Sequence, residues 1–364
     1  CAACTQPLAA PASETPAPTV PADRSVLLGQ APQGNAPALA LSGGDLIAAW
    51  VGSDERGVHQ DARRVGGNST GAITTLPLPP THPYGQQLIP GMNGHTHLLW
   101  LDANESGQTT LYSALLASDL SVERGPVSVS EGLALAYSAV ADGAGGIWTA
   151  WSGGLMAEMA VYVRRSDDEG RPLQTTTLAA AGEHPALVRT NTGEIWLFWL
   201  ADGALMRQRV EPSTEAQPLT GTISLAPGDQ LVNLQAALDA SSAYFFWNVT
   251  RANGSSETWW TAGALDASVW RQPTRLTSEA GAGLRWVSPA TGQTDLAAAA
   301  VASDAGLGMI TLSGGQVVGY KLVVPGARLI GLPALLTDRR ENFVLAWAAP
   351  GEVSADLRLM RVEK

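Results

Sequence analysis

Cysteine and lysine are nearly missing from this chain. Its 364 residues include 2 cysteines, Cys1 and Cys4, and 2 lysines, Lys321 and Lys364. With both cysteines inside the first four positions, no disulfide framework holds the body of the chain together. No run of 18 apolar residues occurs, so no segment reads as a membrane-spanning helix. Long patterns with a 3.6-residue period are missing too, which excludes a helical bundle. Positive charge is sparse: 22 Lys and Arg face 33 Asp and Glu, for a net charge of −11 and a pI near 4.9. The basic residues form no stripe, which excludes nucleic acid as a partner, because phosphate contact needs clustered Lys and Arg. There is no Gly-x-Ser-x-Gly elbow, no phosphate-binding loop and no dinucleotide fingerprint. Cys1-Ala2-Ala3-Cys4 is followed by Thr5, so it is not a haem-attachment motif. Redox and nucleotide enzymes are disfavoured on these grounds.

What the chain does have is tryptophan at a near-constant interval. Trp50, Trp100, Trp151, Trp199, Trp247 and Trp347 are separated by 50, 51, 48, 48 and 100 residues. One expected position, near 297–301, has lost its Trp. Each Trp ends a short apolar run such as Ile195-Trp196-Leu197-Phe198-Trp199. Self-similarity at this period marks a repeat architecture.

The fourth copy shows the contents of one unit. Pro185-Ala186-Leu187-Val188 reads as a short strand, Asn191-Thr192-Gly193 as a tight turn, and Ile195 to Leu200 as a buried strand. Asp202-Gly203 turns the chain into Leu205–Val210, and Gln217-Pro218-Leu219-Thr220 follows as a weak outer strand. Four short antiparallel strands with turns between them make one propeller blade. The sixth copy is degenerate: Ala297–Val301 puts small residues where the aromatic belongs. Counting it, the expected fold is all-β, a seven-bladed β-propeller of four-stranded antiparallel blades over residues 24–364. The last unit stops after its third strand, and Arg24–Leu28 has no blade of its own. That strand is therefore expected to close the ring by pairing with the last blade, which removes two open edges.

Residues 1–23 are rich in Ala, Pro, Ser and Thr and read as an extended tether. A chain that opens on Cys and leads into such a tether resembles a bacterial lipoprotein. That resemblance implies a covalent lipid on Cys1, an extracytoplasmic location on a bacterial membrane, and membrane contact through the anchor alone. Cys4 stays open as a free thiol, a second acylation site or an intermolecular link. No other cofactor is expected.

Ser166-Asp167-Asp168-Glu169-Gly170-Arg171-Pro172-Leu173 resembles the Asp-box, Ser-x-Asp-x-Gly-x-x-Trp, of sialidase-like propellers, with Leu173 in place of the Trp. In that family the box is a structural turn, so the resemblance implies structural roles for Ser166, Asp168 and Gly170. Sialidase chemistry would also need an arginine triad, a Tyr–Glu nucleophile pair and an Asp acid/base. None of these lies in a motif that can be carried over, and the family's early Arg-Ile-Pro is absent.

Three of the five histidines, His82, His95 and His97, lie within 16 residues. No metal is expected; His95 and His97 share one face of a strand and are weak candidates for one, the alternative being a polar loop, and Asp54, Asp102 and Asp202 are read as Asx turns rather than calcium ligands. The six repeat Trp residues are expected to pack between blades, while Trp259, Trp260 and Trp270 are better candidates for an exposed sugar-binding surface. The function expected from sequence is a membrane-tethered, non-enzymatic scaffold that binds a membrane-associated protein. The alternative is a sialidase-like glycoside hydrolase or a carbohydrate-binding lectin.

Overall fold

The computed structural model describes residues 25–32, 37–55, 57–66, 69–79, 82–154, 159–201, 203–219, 225–265, 267, 270–276, 284–291, 297–337 and 342–363. The expectations for the tether, Cys1 and Cys4 fall outside these residues. The described residues contain strands and turns and no helix.

After β1 (Val26–Ala31), the strands run in groups of four. The first sheet is β2 (Ala38–Ser42), β3 (Asp45–Asp54), β4 (Gly57–Gly66) and β5 (Ser69–Leu76). The second is β6 (Pro83–Pro90), β7 (Thr96–Ala103), β8 (Thr109–Leu116) and β9 (Val122–Ser128). The third is β10 (Ala136–Ala141), β11 (Ile147–Gly153), β12 (Ala160–Ser166) and β13 (Pro172–Ala181). The fourth is β14 (Glu183–Arg189), β15 (Ile195–Ala201), β16 (Ala204–Arg209) and β17 (Gln217–Pro218), and the fifth β18 (Gln230–Leu238), β19 (Ala243–Thr250), β20 (Ser256–Gly263) and β21 (Thr274–Arg275). The remaining strands are β22 (Arg285–Thr291), β23 (Ala297–Ser303), β24 (Gly306–Ser313), β25 (Gln316–Pro325), β26 (Ala334–Thr337), β27 (Phe343–Pro350) and β28 (Ala355–Val362). They form one eight-stranded sheet with β1, whose two antiparallel halves join where β22 meets β26 in parallel through Ala290 and Leu335. β1 lies antiparallel to β28, with Val26 opposite Leu359 and Ala31 opposite Ala355.

Second strands are buried on both faces because sheets stack face to face. Trp50, Trp100 and Trp199 are at most 1% exposed. Each repeat Trp packs against the preceding sheet: Trp100 on Ile47 and Ala62, Trp151 on Leu101 and Leu111, Trp199 on Val161 and Val163, Trp247 on Phe198 and Leu205. Trp50 packs on Leu28, Ala346 and Leu357, and Trp347 on Ala300 and Met309. The indole nitrogens of Trp50, Trp100, Trp199 and Trp247 are buried without a hydrogen-bond partner. Such a loss costs roughly 1–3 kcal/mol, so it is the size of the apolar ring that these positions use. Backbone closes tightly on two of the rings. A Cβ on Gly182 would lie 2.2 Å from Trp199 Cδ1, and one on Gly29 2.6 Å from Trp50 Cζ2.

The small residues of the sixth copy are packed on both faces. Ala297, Ala299 and Val301 pack on Tyr244, Phe246 and Trp260 of the fifth sheet, and Ala298 and Ala300 on Phe343 and Trp347. Large neighbours occupy the space that the missing Trp would take.

Candidate functional site: the central cavity

Seven strands, β2, β6, β10, β14, β18, β22 and β26, contribute residues to one cavity of about 1140 Å³. Side chains tie several of these strands together. The Tyr137 hydroxyl lies 3.0 Å from the Leu99 carbonyl and 2.5 Å from that of Gly85. Gln87 Oε1 accepts the Ala139 amide at 3.1 Å, and Ser138 Oγ accepts the Leu187 amide at 3.0 Å. Burial raises the Tyr137 hydroxyl pKa far above its ordinary value. It acts as a neutral strut.

Four first strands carry a bulge at the same place; in β22 the skip lies between Arg285 and Ser288, opposite Val301. In the other three the register skips between Tyr84 and Gln87, between Glu183 and Ala186, and between Val232 and Gln235, so that two residues face Trp100, Trp199 and Trp247 respectively. In β6, β14 and β18 the first bulged residue is left-handed: Gly85 at φ 62°, His184 at φ 51° and Asn233 at φ 58°. For residues other than glycine this conformation costs on the order of 1–2 kcal/mol, least for Asn. His184 and Asn233 line the cavity. Burial lowers the His184 pKa against a smaller opposing effect of Glu183, so the imidazole is neutral near pH 7.

Toward the other end of β14, Arg189 lies over Gly143, where a Cβ would sit 2.3 Å from its Nη2. Its Nε is buried without a partner. Among the described residues, the side chains of His184, Arg189, Asn233 and Gln235 make no hydrogen bond or ion pair, and all four line the cavity. Polar groups half-removed from water without a partner carry an unmet solvation cost unless a ligand or water meets it. Trp196 adds an aromatic surface, backed by the Arg207 guanidinium 5.8 Å from its ring centroid. The cavity-lining carboxylates are already engaged. Glu194 pairs with Arg209 at 3.1 Å. Asp239 accepts the Ser241 and Ser242 amides and the Tyr244 hydroxyl. Burial works against the Asp239 carboxylate, but these bonds outweigh it and lower its pKa.

The residues singled out from sequence lie elsewhere. Ser166 is buried at the end of β12, and Gly170 is left-handed at φ 72°. The carboxylate that holds this turn is that of Asp167, which accepts the Glu169 and Arg171 amides at 3.0 and 2.8 Å; Asp168 lies with its Cβ against Gly145. Leu173 is 58% exposed rather than packed between strands. His97 is buried and its Nε2 donates to the Gly145 carbonyl at 3.0 Å, while His95 Nε2 lies 3.3 Å from Glu123. The two Nε2 atoms thus face different partners. Trp260 and Trp270 are 6% and 3% exposed, and Trp259 is half-buried with its Nε1 on Glu257. They form no exposed sugar-binding surface, because the fifth sheet uses them to fill its contacts with its neighbours. Arg189 is the one arginine among the described residues lining the cavity, so no arginine triad converges there.

His184, Arg189, Asn233 and Trp196 carried no motif. One signal was available. Aligning the copies on Trp places His184 in the column of Gly85 and Asn233 one residue nearer its Trp, and Gly and Asn near one slot suggest positive φ.

Four-stranded antiparallel sheets packed face to face around a common cavity define the chain as a β-propeller. Its sequence matches no protein-family model and no curated protein. Among solved structures it is similar to a polysaccharide lyase, the ulvan lyase of family PL25 bound to -[GlcA(1-4)Rha3S]-. That match has a TM-score of 0.61 and 11% identity over 93% of this chain and 96% of the other. A catalytically inactive variant of virginiamycin B lyase from Staphylococcus aureus matches with a TM-score of 0.51 and 12% identity, over 92% and 98% of the two chains. The sialidase NanB matches with a TM-score of 0.49 and 10% identity, over 93% and 70%. At such identities the likeness speaks for the fold. These neighbours overturn the sequence-based expectation of a non-enzymatic, protein-binding scaffold: the ulvan lyase and the virginiamycin B lyase are enzymes. That expectation rested on the lack of a catalytic motif, and a site assembled from separate repeats leaves none.

Proposed function

We propose that this chain is a carbohydrate-active enzyme, a seven-bladed propeller closed by β1 on β28, that takes a saccharide into its central cavity. The blade count rests on five four-stranded sheets plus the two halves of the eight-stranded one. Closure is supported by the β1–β28 ladder and by the contact of β2 with both β6 and β26.

The observation that carries the functional reading is the lining of the cavity. It offers an aromatic ring, Trp196, beside four side chains with unmet hydrogen-bonding capacity: His184, Arg189, Asn233 and Gln235. A sugar presents apolar ring faces and a set of hydroxyls, which this combination matches. Among the described residues the cavity holds no arginine triad, which favours a carbohydrate-active kind other than a sialidase. The fold likeness to ulvan lyase is consistent with that reading.

The test is to incubate the purified protein with soluble neutral and acidic polysaccharides and follow new reducing ends and new carbon–carbon double bonds. Cleavage of at least one substrate is expected, and Trp196→Ala should slow it about tenfold or more. A protein that binds and cleaves none of them would refute the reading.

A further inference from the structure

We infer that His184, with Asn233 beside it on the next first strand, is the specificity-determining residue of the cavity and hydrogen-bonds the hydroxyls of the bound saccharide; this rests on the carbohydrate reading above. In β6, β14 and β18 the first bulged residue, opposite the repeat Trp, is left-handed. Glycine adopts that conformation without strain, and the chain uses glycine there in the second sheet, at Gly85. At the equivalent place in the fourth and fifth sheets it keeps side chains instead, His184 and Asn233. A non-glycine residue held in a strained conformation at a cavity wall points to a role for its side chain.

Neither side chain has a role inside the protein. Among the described residues, neither imidazole nitrogen of His184 and neither polar atom of the Asn233 amide finds a hydrogen-bond partner. Both line the cavity, and Gln235 lies two residues further along the same strand. Burial keeps the imidazole neutral, so it offers one N–H donor and one bare nitrogen acceptor. The Asn amide likewise both donates and accepts. A sugar hydroxyl also does both, whereas a carboxylate or phosphate only accepts. The pair therefore suits a polyhydroxylated ligand rather than a purely anionic one.

The strain supplies the test. Three proteins are compared, wild type, His184→Gly and His184→Asn. Their thermal midpoints are measured, along with binding to a fixed panel of xylo-, cello-, manno-, oligogalacturonate and alginate oligosaccharides by calorimetry. His184→Gly should melt at the same or a higher temperature than wild type and bind its best panel member at least about tenfold more weakly. His184→Asn should recover part of the affinity. If His184→Gly binds as wild type does, the inference falls and the carbohydrate reading stands. If wild type binds no member of the panel, the carbohydrate reading falls and takes the inference with it. A lower melting temperature together with unchanged affinity would show a purely structural histidine.

Discussion

Side-chain volume at the repeat positions was the most legible feature of this chain. A Trp must recur where one sheet meets the next, and a fixed interval follows. Backbone clearance around those rings was not legible, because it involves residues from distant strands. Gly182 illustrates this. Replacing it with Ala puts a methyl 2.2 Å from Trp199 Cδ1 and should cost about 1–3 kcal/mol. Gly319 has nothing within 4 Å of its would-be Cβ, so Gly319→Ala should be neutral or stabilising by up to about 1 kcal/mol. Urea midpoints of the two variants against wild type check both values. Proton linkage is also argued at this scale. Burial lowers the pKa of His97, against the opposing bond to Gly145, and burial likewise lowers that of His184. Below the ordinary imidazole value of 6.5 the unfolded chain therefore binds protons that the folded chain refuses, and stability falls with falling pH. The carboxylates whose pKa is lowered, such as Asp229 and Glu257, lose their contribution only at more acidic pH. Urea midpoints at about pH 7.5 and about pH 5.5 should show the decrease, with a smaller one in His184→Gly. A midpoint that rises on acidification would contradict the assignment.

Among the elements, the turns explain what the Asp-box resemblance reports. The segment from Asp167 to Arg171 closes with Asp167 N on the Arg171 carbonyl and Gly170 N on the Asp167 carbonyl. The same five-residue hairpin turn recurs at Asn104–Gln108, Thr190–Glu194 and Arg251–Ser255, each with a left-handed glycine in fourth place. Leu120 fills that place in Ala117–Ser121, at φ 70°, and buries its side chain against the second sheet's core. The motif was visible in sequence as an Asp-box because Asp and Gly fall at the turn's own spacing. Which of the adjacent Asp167 and Asp168 holds the turn was not visible, since one residue of register decides it. Asn104 accepts the Ser106 and Gln108 amides as Asp167 accepts those of Glu169 and Arg171. Asp167→Asn should therefore be nearly neutral, while Asp167→Ala should cost about 1 kcal/mol. Denaturation of the two variants side by side measures the difference; an equally large loss for both would mean that charge, not the hydrogen bonds, holds the turn.

At the scale of the whole molecule, repeats and turn residues made the all-β fold readable, whereas the cavity was not. Its lining comes from seven strands about fifty residues apart, and no window of sequence contains it. The lack of a local motif therefore says little about such a cavity, and a scaffold was expected where the named lyase neighbours are enzymes. Closure is tested at Leu28, fully buried among Ala346, Ala348 and Leu357 from the far end of the chain. Leu28→Ala should cost about 2–5 kcal/mol in equilibrium unfolding, and a loss below about 1 kcal/mol would argue that β1 does not complete the ring. The account stands or falls on what occupies the centre. A crystal structure of the protein soaked with its best-binding oligosaccharide from the panel is expected to show sugar density in the central cavity, with hydroxyls on His184 and Asn233 and a ring face near Trp196. Sugar bound on an outer strand or a peripheral turn, with the cavity holding only water, would contradict it.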